Sequence, residues 1–215
     1  MTITRRLSTR GARLAALVLI LLAAYAAGAF GPRAHAQGTN LLNNPSLENP
    51  YYGQGAPTPT APQGWSLWVG AGAPDAVPPP DKTQVLDGEV AWNIKQGYTV
   101  FTTAGYQRVG GLTAGENVKA TGYGWVYTCN NTETSCVIPA PPYRRSDPAA
   151  GASLKVGIDP NGGTDPNAPS VVWSASAAPY DQWAEMSVGA KSGGDAVTVF
   201  LYATQAAGLA LNNVY

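Results

Sequence analysis

Residues 40–48 read NLLNNPSLE, and residues 62–65, after a proline-rich spacer, read PQGW. Together these two blocks are the N-terminal motif. The motif begins three residues after a predicted signal-peptide cleavage site, so we expect it to be the first ordered part of an exported domain. Its tryptophan, Trp65, follows Pro-x-Gly at the predicted start of a strand. That position favours packing into the end of a β-sandwich over contact with a ligand.

The first 36 residues have the composition of a secretory signal peptide. Four arginines within the first 13 residues are followed by an apolar run over 14–30, and Ala34-His35-Ala36 offers a small-x-small cleavage site. We predict cleavage after Ala36 and a secreted or cell-surface protein. The apolar run is shorter than the roughly 20 residues of a spanning helix, and an uncleaved N-terminal anchor is the alternative. The predicted division is a signal peptide over 1–36 and a single β-sandwich domain over 37–215.

The charge that remains after cleavage is mildly acidic. Five of the 13 basic residues and none of the 13 acidic ones lie in the signal peptide, which leaves a net charge of about −5. Such a scattered acidic balance gives no electrostatic reason to bind nucleic acid or an anionic membrane. We therefore expect neither nucleic acid nor, after signal cleavage, a membrane as a partner.

The loss of histidine restricts the chemistry of the mature chain. His35 is the one histidine, and it leaves with the signal peptide. This excludes Ser-His-Asp and Cys-His mechanisms and histidine-ligated zinc or iron sites. Paired carboxylates could still act as they do in glycosidases, and oxygen ligands could hold calcium.

The two cysteines predict a disulfide. Cys129 and Cys136 flank a short polar segment, and an exported protein meets an oxidising environment. Metal binding, the alternative, would need further ligands nearby, and C-x₆-C is no recognised zinc spacing. The bond would pin a hairpin loop and stabilise it locally.

After residue 37, helical periodicity is nearly absent. Short alternating runs of β-branched and aromatic residues, separated by clusters of Gly, Pro, Asn and Asp, predict an all-β antiparallel sandwich or barrel. The loops are too short to be domain linkers, and no repeat is visible, which favours one domain. Strands are predicted near residues 40–42, 64–70, 84–87, 89–95, 105–110, 117–128, 153–159, 170–174, 182–190, 196–203 and 211–215.

The pattern N-L-L-x-N-P-x-x-E … P-x-G-W resembles the first part of galactose-binding-like jelly rolls, the fold of many extracellular carbohydrate-binding modules. The similarity continues over nearly all of 40–215, through residues 92–94, 106–109, 112–116, 156–159, 183 and 197–199. It implies a jelly-roll β-sandwich and a polysaccharide or glycan as partner. The chain stops at Tyr215, where the last strand of relatives would continue, so we expect either a short last strand or a fragment of a longer product.

The strand predicted over 117–128 is the main candidate for a binding surface. A period of two places five side chains on the face opposite its small residues: Lys119, Thr121, Tyr123, Trp125 and Tyr127. Aromatic rings pack against the C–H-rich faces of sugars while polar groups bond the hydroxyls. We predict that Tyr123, Trp125, Tyr127 and Lys119 bind a glycan. The alternative is that these aromatics cover the core beneath a loop.

The resemblance implies three further site residues. In relatives, the residue that corresponds to Gln107 faces the binding groove. Glu48 matches a ligand of a structural calcium ion, and Asp87 is a candidate for its second carboxylate. Calcium needs six or more oxygens, many of them backbone carbonyls. The acidic ligand that the last strand supplies in the family has no counterpart here.

The remaining tryptophans and loop acids have structural interpretations. We expect Trp65 and Trp183 in the core, and Trp68, Trp92 and Trp173 at half-buried edge positions. Two aspartates of the Gly/Pro-rich loop, at 159 and 165, favour turn capping over metal or sugar binding.

Three functions follow from these features. The first is a non-catalytic carbohydrate-binding domain. The second is a structural, adhesion or envelope domain of a longer surface protein. The third is a glycoside hydrolase or lyase, which would need two carboxylates about 5–10 Å apart in a cleft. Glu185 is the acid that stands in a predicted strand.

Overall fold

The computed structural model describes residues 39–54, 60–77, 84–130, 136, 145–209 and 211–214. Every strand pair in these ranges is antiparallel, which confirms the all-β antiparallel fold. The strands belong to the unit Asn40–Tyr215. The predicted signal peptide over 1–36 lies outside the described residues, so its boundary stays a prediction. No helix in the described part of the chain is long and apolar enough to span a membrane.

The described ranges contain 13 strands and one short 3-10 helix, Pro148–Ala150. The strands are β1 (Tyr51–Gly53), β2 (Thr60–Pro62), β3 (Ser66–Ala71), β4 (Asp75–Val77), β5 (Asn93–Lys95), β6 (Phe101–Gly110), β7 (Asn117–Gly124), β8 (Val126–Cys129), β9 (Ala152–Asp159), β10 (Val172–Trp173), β11 (Ala184–Lys191), β12 (Ala196–Gln205) and β13 (Leu211–Val214).

The largest sheet has five strands in the order β10-β9-β12-β6-β3. Its two longest strands, β12 and β6, pair over ten residues, from Ala196 opposite Gly110 to Gln205 opposite Phe101. Alternation along these strands turns one set of β-branched side chains to the core. That inner face includes Val156, Ile158, Val197, Val199 and Val109.

Three smaller sheets complete the core: the pair β1-β2, the pair β11-β7 and a sheet of order β4-β5-β13-β8. Buried residues from all three join the same cluster as the inner face of the five-stranded sheet, among them Ala61, Val188, Ala120 and Ile94. The last strand, β13, lies between β5 and β8 in its sheet.

The long strands are predicted, and so are the short strands β5, β10 and β13, but three other short strands are not. The predictions near 40–42 and 84–87 are wrong, because neither segment forms a strand. The strand predicted over 117–128 is interrupted at Trp125, where the chain passes from β7 to β8. Strands β1, β2 and β4 were not predicted. Each has three residues, which is too few for alternation to show.

The tryptophans divide between core and surface. Trp65 is buried as predicted, and it packs edge to face with Trp92, with ring centroids 6.5 Å apart. Trp92 is therefore a core residue, which corrects the expected edge position. Its ring lies so close to Gly105 that a Cβ on this glycine would collide with it. Trp183 is half-buried and outside the buried core, so its predicted core position is wrong.

Candidate functional site

The predicted binding surface on residues 117–128 divides at Trp125. Lys119, Thr121 and Tyr123 lie on β7 and are exposed, as the alternation predicts. Strand β8 belongs to another sheet, and Tyr127 on this strand is only 6% exposed. Because the interruption changes both sheet and direction, Tyr127 does not share a surface with Tyr123. The predicted continuous aromatic face is wrong.

Tyr127 and Trp125 instead cover the disulfide. Their rings are stacked, with centroids 6.1 Å apart and planes inclined by 23°. They pack with Cys129 and Cys136, which form the predicted disulfide with Cα atoms 5.9 Å apart. Tyr127 is therefore a buried structural residue, which agrees with the alternative prediction that these aromatic residues are covering residues and not ligand-binding ones.

Gln107 binds the chain itself. Its side chain is 6% exposed and lies on the inner face, in line with Val109. The backbone N–H of Asn43 donates to Gln107 Oε1 at 2.6 Å, and Gln107 Nε2 donates to the Asn43 carbonyl at 2.8 Å. The amide thus exchanges two hydrogen bonds with the backbone of Asn43, as a residue on a neighbouring strand would, and holds the N-terminal motif in place. The expectation that Gln107 faces a groove is wrong, because both ends of its amide are used inside the protein.

Tyr123 is half-exposed and is bound to a carboxylate. Its hydroxyl donates to Glu185 at 2.9 Å across the β7–β11 pair, where these two residues stand directly opposite each other. This hydrogen bond, together with the negative charge of Glu185, raises the pKa of Tyr123. The contact uses the polar tip of the one aromatic residue that β7 exposes.

Glu48 and Asp87 lie in adjacent segments, as the resemblance implies. Glu48 Oε1 accepts from the backbone N–H of Glu89 at 2.8 Å and of Val90 at 3.4 Å. Asp87 Oδ2 accepts from the Ser46 hydroxyl at 3.4 Å. The described residues hold no cluster of three or more His, Cys, Asp or Glu side chains. Calcium at this place stays a prediction, and Glu48 is already used to hold the turn that precedes β5.

The two loop aspartates cap turns, as predicted. Asp159 accepts from the backbone N–H groups of Asn161 at 2.9 Å and Gly163 at 3.1 Å, and Asp165 accepts from Asn167 at 2.9 Å. These are Asx turns, in which the side chain satisfies backbone donors two to four residues ahead.

A larger aromatic surface, which is not among the predicted sites, lies on the outer side of the five-stranded sheet. Five half-buried side chains form this surface, one from each strand: Trp173 (β10), Lys155 (β9), Tyr202 (β12), Tyr106 (β6) and Trp68 (β3). We call these five residues the aromatic face.

The pairing register arranges the aromatic face in two rows across the sheet. In one row, Lys155 stands opposite Tyr202, which stands opposite Ala104 and then Trp68. The other row runs from Trp173 through Gly157, Phe200 and Tyr106 to Ser66. Residues that are up to 134 positions apart in the sequence, 68 and 202, thereby lie on one surface.

Three rings of the aromatic face, those of Trp173, Tyr106 and Tyr202, make ring contacts, and two of them pack on Phe200, which is fully buried. The Phe200 centroid lies 5.9 Å from Trp173 and 6.0 Å from Tyr106. Trp173 and Tyr202 meet edge to face at 5.3 Å. Such contacts hold the rings in fixed orientations, so the aromatic face is preorganised by the sheet beneath it.

Two glycines allow tryptophan rings to lie close to the sheet. A Cβ on Gly157 would come within 2.5 Å of the Trp173 ring, and a Cβ on Gly70 would collide with the Trp68 ring. Glycine is suited to such close approach because it has no side chain. The rings can therefore lie against the backbone.

Lys155 completes the aromatic face. Its Nζ lies 4.1 Å from the ring centroid of Trp173 and 4.6 Å from that of Tyr202, within the range of cation–π contacts. Burial lowers the pKa of Lys155 because it disfavours the charged amine. Burial also raises the pKa of Tyr202, against the opposing effect of a hydrogen bond with Thr102.

An apolar cleft is a second candidate site. It has an empty volume of about 490 Å³, solvent at its mouth included, and its lining includes Leu47, Trp92, Tyr123, Met186 and Leu201. Few polar groups reach it, so it offers little to bond the hydroxyl groups of a sugar.

The chain was compared with known proteins in three ways. No family model matches it, and no curated protein matches it. Among solved structures, it is similar to the carbohydrate-binding module TmCBM61 in complex with β-1,4-galactotriose. The identity is 14% and the TM-score 0.47, over 82% of this chain and 94% of that one. It is also similar to a structure concerned with the promiscuous specificity of carbohydrate-binding modules from the β-sandwich superfamily. Here the identity is 14% and the TM-score 0.38, over 71% of this chain and 54% of that one.

Proposed function

We propose that this protein is a non-catalytic glycan-binding domain and that the aromatic face binds the polysaccharide. The observation that carries the proposal is the set of four half-buried aromatic side chains on four strands of one sheet, three of which make ring contacts. Sugar rings present C–H-rich faces that pack on such aromatic surfaces. A flat sheet face suits a chain of sugars better than a closed pocket does.

Polar groups border the aromatic face at the positions that sugar hydroxyls would reach. Thr102 and Thr204 share a hydrogen bond of 3.1 Å beside Tyr202, and Ser66 stands opposite Tyr106. Hydroxyl groups both donate and accept, so they can exchange this pairing for bonds to a ligand. Aromatic surface with a few polar groups is the usual composition of a carbohydrate site.

The proposal includes a secreted or cell-surface location. It is supported by the basic, apolar and small-x-small segments of the first 36 residues. The Cys129–Cys136 disulfide is consistent with it, because such bonds form and persist in oxidising compartments.

Affinity gel electrophoresis with a panel of soluble neutral and acidic polysaccharides tests the proposal. We expect retardation of the mature protein by at least one polysaccharide and loss of that retardation in Trp173→Ala. Tyr52→Ala is the matched control, because Tyr52 is an exposed aromatic residue on β1, outside the five-stranded sheet. Circular dichroism verifies that both variants are folded.

Two results would count against the proposal. If no polysaccharide retards the wild-type protein, the structural or adhesion role becomes the better interpretation. If Trp173→Ala and Tyr52→Ala bind equally well, the glycan lies elsewhere on the molecule.

A further inference from the structure

The charge pattern of the aromatic face differs from that of the whole chain. The mature chain carries a net charge of about −5, yet the charged residue of this face is a lysine. Lys155 stands beside Trp173 and directly opposite Tyr202 on the neighbouring strand. Any ligand that packs on these two rings must meet its amine.

The amine of Lys155 has aromatic partners but no carboxylate partner among the described residues. Its contacts are the faces of Trp173 and Tyr202, at 4.1 and 4.6 Å. It is also partly desolvated, as the lowered pKa of Lys155 indicates. A desolvated cation without a counter-ion favours an anion that arrives with a ligand.

The other charged side chains on this face of the sheet are those of Asp159 and Arg108. Asp159 is buried, and its carboxylate accepts two backbone N–H groups of its own turn. Arg108 is exposed and lies 3.9 Å from Asp195, which is exposed as well. Lys155 is therefore the charged side chain that contacts the rings of the aromatic face.

We propose that the glycan bound on the aromatic face is anionic and that Lys155 recognises its negative group, a uronate carboxylate or a sulfate ester. A neutral sugar that packs on Trp173 has to displace the amine from the ring and offers it no charge in return. An anionic sugar can pack on the same ring and pair with the displaced amine through a charge-assisted hydrogen bond. This inference rests on the proposed glycan-binding function and names its ligand class.

Binding of three polysaccharides to the mature protein tests the inference: polygalacturonate, a sulfated galactan and a neutral galactan. We expect the wild type to bind at least one of the two anionic polymers more tightly than the neutral one, and salt to weaken that binding. Which anionic polymer is preferred distinguishes the carboxylate from the sulfate.

Two variants separate charge from packing. Lys155→Gln should weaken anionic binding roughly tenfold, as expected for the loss of one charge-assisted bond. It should not weaken neutral binding by a comparable factor, because a neutral sugar has no charge to pair with the amine. Lys155→Arg keeps the charge and should retain the preference.

The inference is overturned if the wild type binds the neutral polymer best, or if Lys155→Gln weakens neutral and anionic binding alike. In both cases glycan binding itself stands. Failure to bind all three polymers, together with no retardation in the wider panel, would instead overturn the proposed function.

Discussion

The aromatic face and the exposed face of β7 are both built from aromatic and polar side chains, yet they differ in construction. On β7, Tyr123 is one exposed ring, and its hydroxyl is bound to Glu185. The aromatic face takes one side chain from each of five strands, and three of its four rings make ring contacts with one another or with Phe200 beneath them. Alternation along one strand places every second side chain on the same side of the sheet. An extended aromatic surface needs neighbouring strands in the right register as well.

The largest expected effect is on the segment that follows β7. Replacing both cysteines, Cys129→Ala with Cys136→Ala, should lower the free energy of unfolding by about 2.5 kcal/mol, the entropy of closing so short a loop. Urea denaturation of the variant and the wild type measures it. Glycan affinity should not change, because the aromatic face belongs to a different sheet. A parallel loss of affinity would show that the two regions depend on each other.

A matched pair of tyrosines compares the two surfaces directly. Tyr202→Ala should weaken glycan binding roughly thirtyfold, close to 2 kcal/mol, as for a central aromatic contact. Tyr123→Ala should change it less than about twofold, within the range of a residue at the edge of a binding surface. Isothermal titration calorimetry with the best polysaccharide of the panel measures both. The reverse order of effects would restore β7 as the binding strand.

Substitution of Glu48, which belongs to neither surface, should have a smaller effect on the free energy of unfolding. Glu48→Ala removes the acceptor for the N–H groups of Glu89 and Val90 and should cost about 1 kcal/mol of stability. Glu48→Gln keeps an acceptor oxygen and should cost less. If calcium binds here, it raises the melting temperature of the wild type, a chelator reverses the rise, and Glu48→Ala shows none. An unchanged wild-type melting temperature with calcium would contradict the metal site.

The smallest expected effect is the titration of Tyr123. Its pKa is raised in the folded chain by the hydrogen bond and charge of Glu185. The stabilisation is therefore complete below the pKa of the unfolded chain and is lost as the pH rises through the pKa of the folded one. Glu185→Gln should move the titration of Tyr123 to lower pH. Ultraviolet difference titration against Tyr123→Phe isolates this tyrosine from the others, and an unmoved midpoint would show that the pair does not persist in solution.

Much of the fold follows from the sequence because alternation is a local property. Strands β6, β9 and β12 are long enough for their buried and exposed positions to show, and the disulfide was predicted from two cysteines in a chain expected to be exported. On β6 the expected orientation is wrong, since the side that holds Gln107 is the core and not a groove.

The aromatic face could not be predicted because it depends on register. Trp68, Lys155 and Tyr202 come from three strands, and only their pairing brings them into one row. The interruption at Trp125 was less hidden. Residues on both sides of it have the composition of a strand, but Gly122 and Gly124 precede it, and glycine inside a strand often marks a bulge or a bend.

The glycine beneath Trp173 has a consequence for how such a surface can be mapped. Alanine scanning measures the contribution of a residue to binding by removing its side chain. It therefore does not identify a glycine that contributes because it has no side chain. A single methyl group at Gly157 would occupy the space of the indole and tilt it away from the strands. The shape of the aromatic face thus depends partly on the absence of a side chain at Gly157. Substitutions at the glycines alone would therefore disrupt the aromatic face, even if every aromatic residue were kept.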